Sequence, residues 1–407
     1  MNLSQTVTVL ALAVSAFLSS NGLAQRGIAE KDLAIALPME SKLLVPMKYA
    51  IKAENKAIFP SEWFATLHAD YQQTSAGEVL ETESPYEDWH IVSARVVPCQ
   101  PLGQNPKQNI NELCWPEVRV VWQAIQRKTI LHSIYMEASA DDRAIHASYP
   151  VDPSLVLSLA EAVEARSYLE EIAKGVREQA TFAQLPASRM DRFQTLRNRV
   201  SKVLLQDLLA LRQLPASSYN AIGLRPESMD SDASEKAFAK AWEGFLQKYA
   251  RSNALRGLTS FSLPEGREPA HLDEWIFLSY EAKDGRIKQM PIELISPQTN
   301  EVLFSSSHSQ RGSMARDDDK FYESANLQSL RANVLLFVND RRNLLPVLAD
   351  RTKTLVPNTS CASCHKLNDE RFDFHNLSYL ENRELTVSPR VVRDVELDLA
   401  WLATHAL

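Results

Sequence analysis

Hydrophobic and polar residues alternate along the first third of the chain, and this period of two predicts β-strands. Five segments follow the pattern and are rich in β-branched and aromatic residues: KLLVPMKYAI, EWFATLHADYQ, WHIVSARVVPC, EVRVVWQAI and ILHSIYMEA. Further along, EWIFLSYEAKDGRIKQMPIELI predicts two more strands, because its Asp284-Gly285 pair is typical of a two-residue hairpin turn.

Between residues 153 and 254 the apolar spacing changes to the period of a helix, which predicts three helices that pack together. Ser154 is a candidate N-cap for the first helix, and its apolar stripe would contain Leu155, Leu159, Val163, Ile172 and Val176. The stripes of the other two helices contain Phe193, Leu196, Val200, Val203 and Leu204, and then Phe238, Trp242, Phe245 and Tyr249.

The C-terminal part of the chain is predicted to be helical. Its last segment, SPRVVRDVELDLAWLATHAL, has Ser388 as N-cap, Pro389 at the first helical position and Trp401 beside an apolar stripe. The charged run RGSMARDDDK at 311–320 predicts a linker or exposed loop before this part. The sequence thus predicts an α+β fold: a strand-rich domain with three packed helices over 26–310, followed by a small all-α module over 321–407.

The composition is that of a globular protein. Of 407 residues, 45% are hydrophobic and 23% are charged, which is enough to bury a sizeable core. The net charge of -7 gives no basic surface that would bind nucleic acid, so no nucleic-acid partner is expected.

The N-terminus predicts export. An apolar run from Val7 to Leu18 is followed by the small residues Gly22 and Ala24, which are typical of a signal peptide over 1–24. The alternative is an uncleaved anchor, although the run is short for a membrane span. No later segment is long and apolar enough to span a membrane, so a periplasmic or secreted protein is expected.

Cys99 and Cys114 lie at the two ends of a polar, turn-rich loop between predicted strands. Such a loop brings its ends together, and an oxidising compartment favours a disulfide between them. The alternative is two unrelated buried thiols. Either way the role of this pair is structural.

Cys361, Cys364 and His365 form the pattern Cys-x-x-Cys-His within NTSCASCHKLN. On a helical turn, two thiols at this spacing reach the two vinyl groups of a haem, and the next residue's imidazole points at the iron. The pattern therefore predicts one covalently bound haem c. Three other uses remain open: a zinc site with His375 and another ligand, a redox-active thiol pair, or a local disulfide.

This segment resembles the haem-binding segment of c-type cytochromes. The final helix with Trp401 is also similar to the aromatic-bearing last helix that packs on the haem module in small cytochromes c. The resemblance covers the C-terminal module alone. It implies haem c bound through Cys361 and Cys364, with His365 as the proximal iron ligand. The function that it implies is the usual one of the family, electron transfer. It assigns no role to residues 26–310.

The distal side of the iron departs from this family. Small cytochromes c generally supply a downstream methionine, and here no Met follows Met314. His375, in the aromatic segment ERFDFHNLSYL, is the predicted distal ligand. An open position, or a ligand from Met314, His308 or His405, remains an alternative.

The sequence thus predicts an exported mono-haem c-type cytochrome that passes electrons to or from a periplasmic redox protein or enzyme. An open distal site would instead allow a haem enzyme of peroxidase or oxidase type, or a haem-based sensor. The single Cys-x-x-Cys-His motif favours the electron carrier, because c-type peroxidases usually need a second haem for electron storage.

Overall fold

The structure is a computed structural model, and it describes thirteen stretches of the chain. These are residues 33–36, 45–51, 56–72, 85–101, 113–130, 133–138, 143–177, 187–212, 232–262, 276–290, 292–295, 302–306 and 389–405.

An antiparallel sheet dominates the described residues. Its strands, with those of two small two-stranded sheets, are β1 Ala34–Ala36, β2 Val45–Pro46, β3 Ala50–Ile51, β4 Lys56–Ala57, β5 Trp89–Pro101, β6 Cys114–Ile130, β7 Ser133–Ala138, β8 Arg143–Pro150, β9 Gly257–Ser262, β10 Ile276–Lys283, β11 Arg286–Met290, β12 Ile292–Ile295 and β13 Val302–Ser306. The main order is β1-β5-β6-β8-β9-β10-β11, and β2 also pairs with β5, which gives eight strands. A ninth strand, β7, pairs with the outer half of the long β6.

Five α-helices accompany the sheet within the described residues. They are α1 Ser61–Gln72, α2 Leu159–Arg177, α3 Ala187–Arg212, α4 Asp232–Tyr249 and α5 Pro389–His405. Within the described ranges, each helix is too short or too polar to cross a membrane.

One face of the sheet is apolar and forms the main core with α1 to α4. On β6 the core side chains are Val118, Val120 and Trp122, which alternate as expected of a strand with one apolar face. Aromatic contacts join sheet and helices, with ring centroids 5.7 Å apart for Trp115 and Phe193 of α3. Helices α1 to α4 therefore cover the apolar face of the sheet, and the opposite face makes other contacts.

The hairpin predicted at Asp284-Gly285 is confirmed. Lys283 and Arg286 are paired residues of β10 and β11, and both turn residues have positive φ, 52° and 72°. Two consecutive residues in this region are the requirement of a type I′ turn, which Asp-Gly meets at low steric cost.

The start of α2 differs from the prediction. Ser158 is the N-cap, and it forms a reciprocal capping box in which Glu161 accepts from the Ser158 N–H at 3.2 Å. Leu159 and Val163 are consequently exposed, at 78% and 57%. The buried stripe of α2 contains Ala162, Ala165 and Tyr168, together with Ile172, which was predicted.

The predicted fold class, an α+β domain with three packed helices, is wrong: the described residues form a large antiparallel sheet with five α-helices. Residues 62–72, predicted as a strand, lie in helix α1. Trp63, Leu67 and Tyr71 are buried at a spacing of four, so they lie on one side of a helix. The apparent alternation of EWFATLHADYQ concealed this period, and four helices rather than three pack on the core.

Of the predicted all-α module over 321–407, the structure describes helix α5 alone. Helix α5 packs against β5 of the large sheet. Its apolar stripe needs a surface to bury, and the edge of the sheet domain supplies one. The predicted boundaries at 24, 310 and 311–320, and the remainder of the predicted module, lie outside the described residues.

Candidate functional site

The residues predicted to bind haem, Cys361, Cys364 and His365, lie outside the described residues, as does the predicted distal ligand His375. They stay predictions. Within the described ranges, no three His, Cys, Asp or Glu side chains come together in a group that could hold a metal ion. The chemistry of the predicted donor set fits haem c, since two thiols and an adjacent imidazole are what covalent attachment and proximal ligation require.

Helix α5, which follows the Cys361 segment in the chain, packs on the sheet domain through a small apolar cluster separate from the main core. We call this cluster the α5 seat. Trp401 and Leu402 of the helix are 8% and 1% exposed there. The buried members of the seat are Leu33, Cys114, Leu205, Val395, Trp401 and Leu402, with Cys99, Leu209 and Leu399 packed against them.

Polar contacts hold the middle and the C-terminal end of α5. Arg95 of β5 donates to Asp398 at 2.5 Å, and both side chains are largely buried. Asn198 of α3 donates its amide to the carbonyl oxygen of His405 at 2.7 Å, which satisfies one of the free carbonyls at the helix end. These bonds fix the helix in rotation and along its axis.

Trp401 lies between α5 and the sheet domain. Its ring lies under the guanidinium of Arg197, 5.0 Å from ring centre to Cζ, within the range of a cation–π contact. The same ring stacks on His405, with the centroids 4.9 Å apart. This side chain joins α5 to the sheet domain, and its predicted contact with a haem module stays a prediction because the haem-binding residues lie outside the described residues.

The structure brings Cys99 and Cys114 together within bonding distance. Their Cα atoms are 4.9 Å apart, inside the range of disulfides. Cys99 is near the end of β5 and Cys114 opens β6, where Pro101 and Cys114 are paired residues. The ladder between the two strands thus places the sulfurs side by side, beneath α5.

Arg197 contacts this pair from below. Its side chain is fully buried, and one terminal nitrogen lies 3.3 Å from the Cys114 sulfur. Its other nitrogens donate to the side-chain oxygen of Asn198 at 3.0 and 3.1 Å. A single guanidinium therefore connects the cysteine pair, Trp401 and the residue that binds the end of α5.

No family model, curated protein or solved structure matches this chain. Function is therefore inferred from the residues of this chain alone. Among the described residues, a buried charged network also lies on the second face of the sheet.

The network centres on Glu117, whose side chain is fully buried on β6. Its carboxylate accepts from Arg119 at 2.7 Å and Ser148 at 2.6 Å, and Arg256 approaches to 3.2 Å. Burial opposes the charge of Glu117, but Arg256, Arg119 and the hydrogen bonds outweigh it, so the pKa of this carboxyl lies below its usual value. The carboxylate is ionised at neutral pH and joins β6 to β8 and to Arg256, the residue before β9.

His146 lies beside this network on β8. Burial lowers its pKa to about 4, and the nearby charge of Arg119 contributes to the decrease. The imidazole is therefore neutral at neutral pH. A neutral buried histidine here is a structural group of the sheet, consistent with the expectation for histidines dispersed in strands.

Sequence reasoning missed the network, although its signal was in the segment EVRVVWQAI. A glutamate and an arginine two residues apart point to the same face of a strand that is otherwise apolar. Arg256 lies more than a hundred residues away in sequence. Only the strand order brings it to Glu117, so the full set could not be found without the topology.

Proposed function

We propose that this protein is an exported mono-haem c-type cytochrome that transfers electrons to or from a redox partner. The observation that carries the proposal is the sequence Cys361-Ala-Ser-Cys364-His365. In it, Cys361 and Cys364 would form the thioether bonds to the haem, and His365 would bind the iron on the proximal side. When bound, haem c supplies a one-electron couple between ferric and ferrous iron.

Two independent features support export, which covalent haem attachment requires. The first is the N-terminal segment, with its apolar run and small residues before position 25. The second is the pair Cys99 and Cys114, whose sulfurs lie within bonding distance. Disulfides persist in oxidising compartments, so this pair agrees with a location outside the cytoplasm.

His375 would be the distal ligand of the iron. Two histidine ligands give an iron that is suited to electron transfer and that excludes small molecules. The absence of any Met after Met314 removes the ligand that usually raises the potential of small cytochromes c. A lower potential is therefore expected for this protein than for a Met/His cytochrome.

The same absence of a late methionine favours a second candidate function. If no side chain occupies the distal position, peroxide, oxygen or another small ligand can reach the iron. The chain would then be a haem enzyme of peroxidase or oxidase type, or a sensor, and the partner would be a signalling or substrate molecule rather than an electron carrier.

Optical and EPR spectra of the full chain, made in a host that attaches haem c, separate these functions. Electron transfer predicts a low-spin ferric spectrum that cyanide leaves unchanged and a low-spin ferrous spectrum that CO leaves unchanged. His375→Ala should convert it to a high-spin spectrum, and His405→Ala, which changes a histidine on α5, should not. A high-spin wild type that binds cyanide readily would contradict the carrier and favour the enzyme or sensor.

A further inference from the structure

The α5 seat contains both sulfur atoms of the Cys99–Cys114 pair. Cys114 is almost fully buried in it, and Cys99 packs at its margin and is partly buried. The side chains that α5 buries, Val395, Trp401 and Leu402, lie in the same cluster. Any change at the sulfurs therefore occurs at the surface on which the helix rests.

Arg197 provides the electrostatic part of this arrangement. Its guanidinium lies 3.3 Å from the Cys114 sulfur and 5.0 Å from the Trp401 ring centre. A positive charge at this distance stabilises a thiolate on Cys114, which makes this sulfur the better leaving group when the disulfide is attacked. The same charge is shared with the tryptophan that anchors the helix.

We propose that the Cys99–Cys114 disulfide is a redox-controlled latch for α5, which a dithiol reductant opens. A thiolate of the dithiol attacks the sulfur of Cys99, the less buried residue of the pair. A new S–S bond forms between dithiol and Cys99, and the bond to Cys114 breaks, so that the Cys114 sulfur leaves with the electron pair.

The second thiol of the dithiol completes the exchange. It loses its proton and attacks the mixed disulfide, which releases Cys99 and leaves the reagent as its own disulfide. Two electrons pass from the dithiol to the protein. Cys99 takes up a proton, and Cys114 remains a thiolate facing Arg197.

Opening the bond weakens the seat for two reasons. The sulfurs must separate to van der Waals distance, which disturbs the close packing of Val395 and Leu402. The new thiolate also attracts the Arg197 guanidinium, which then interacts less with Trp401. By linkage, a chain with α5 undocked should be reduced more easily than one with α5 in place. The latch involves only described residues and does not depend on haem.

Amide hydrogen exchange of the full chain, with and without dithiothreitol, tests the latch. We expect reduction, counted by thiol alkylation and mass spectrometry, to speed exchange across 389–405 by about tenfold or more. Exchange in β8 and β9, far from the seat, should stay within about twofold. Full reduction with unchanged exchange at 389–405 would overturn the proposal, as would a disulfide that resists dithiothreitol in the folded protein.

Variants test the role of Arg197. Arg197→Met should slow reduction by about tenfold or more, while Arg197→Lys, which keeps the charge, should stay nearer the wild-type rate. Arg199→Met is the matched control, since Arg199 is an exposed arginine on the same helix. Equal reduction rates for Arg197→Met and Arg199→Met would contradict the assigned role of Arg197.

The double variant Cys99→Ser/Cys114→Ser controls for effects of the reductant on any other group. It should exchange rapidly at 389–405 without reductant and show no response to dithiothreitol. A response in this variant equal to that of wild type would contradict the latch, because it would show that the reductant acts elsewhere.

Discussion

The two cysteine pairs of this chain differ in how far apart in the sequence their partners and neighbours lie. Cys99 and Cys114 are 15 residues apart and are brought together by a β-ladder, an arginine and a helix. Cys361 and Cys364 are three apart and are followed directly by a histidine. The first pair obtains its neighbours from the fold, whereas the second contains its chemistry in five consecutive residues.

The difference teaches what sequence spacing means for cysteine. A separation of 15 residues closes a loop and leaves the partners to be chosen by strand pairing. A separation of three on one helical turn matches the vinyl groups of a haem. Changes around the first pair should therefore alter stability and leave the haem content of folded chains unaltered, and the following predictions test that separation.

The largest change in stability is expected for Trp401→Ala. Removing this buried ring leaves a cavity in the α5 seat and exposes the charge of Arg197, so unfolding free energy should fall by about 4 kcal/mol. Urea unfolding followed by circular dichroism measures the loss. Leu397→Ala is the control, because Leu397 of the same helix is 41% exposed and should cost under about 0.5 kcal/mol. Equal losses for both would refute the seat as described.

The double variant Cys99→Ser/Cys114→Ser is expected to lose about 3 kcal/mol, the contribution of closing a loop of this length. The same urea titration measures it, and wild-type protein unfolded with excess reductant should give a matching midpoint. A variant as stable as the oxidised wild type would mean that the pair contributes nothing to stability.

The pH dependence of stability should contain a contribution from His146. Its folded pKa of about 4 lies below its unfolded value, so the unfolded chain binds the proton first as the pH falls. Stability is lost between about pH 6.5 and 4, and about 2 kcal/mol is gone by pH 5. His146→Gln should flatten this slope, and His90→Gln, a half-exposed position, should keep it. An unchanged slope in His146→Gln would assign the loss to other groups.

A smaller effect is expected at the start of α2. Ser158→Ala removes the side-chain half of the capping box with Glu161, at a cost of about 1 kcal/mol. Ser154→Ala, which changes the residue first predicted as the cap, should cost less, because Ser154 lies in the short 3-10 turn before the helix. A larger loss of stability for Ser154→Ala than for Ser158→Ala would show that Ser154 is the residue that caps the helix.

Local patterns predicted some of this fold and failed where tertiary contacts decide. The Asp284-Gly285 hairpin and the apolar stripe of α4, with Phe238 and Trp242, follow from short-range rules and were predicted correctly. Helix α1 was missed because a spacing of four between Trp63, Leu67 and Tyr71 was mistaken for alternation. The predicted stripe of α2 is partly wrong because Ser158 caps the helix, four residues after the predicted cap Ser154.

The position of α5 could not be predicted from its own sequence. An amphipathic stripe shows that a helix packs on something, but not on what. Asp398 finds Arg95 and Trp401 finds Arg197 only once the sheet is assembled. In contrast, the candidate haem site needs no distant residue for attachment, which is why the sequence alone could name Cys361, Cys364 and His365.

Covalent haem attachment is the central claim, and a denaturing gel tests it most directly. The full chain, made in a host that attaches haem c, should retain haem-stained colour at its own mass after boiling in detergent. Cys99→Ser/Cys114→Ser should retain it equally, and Cys361→Ser/Cys364→Ser should lose it entirely. Haem that washes out of the wild-type chain, or that stays on the Cys361→Ser/Cys364→Ser variant, would contradict the account.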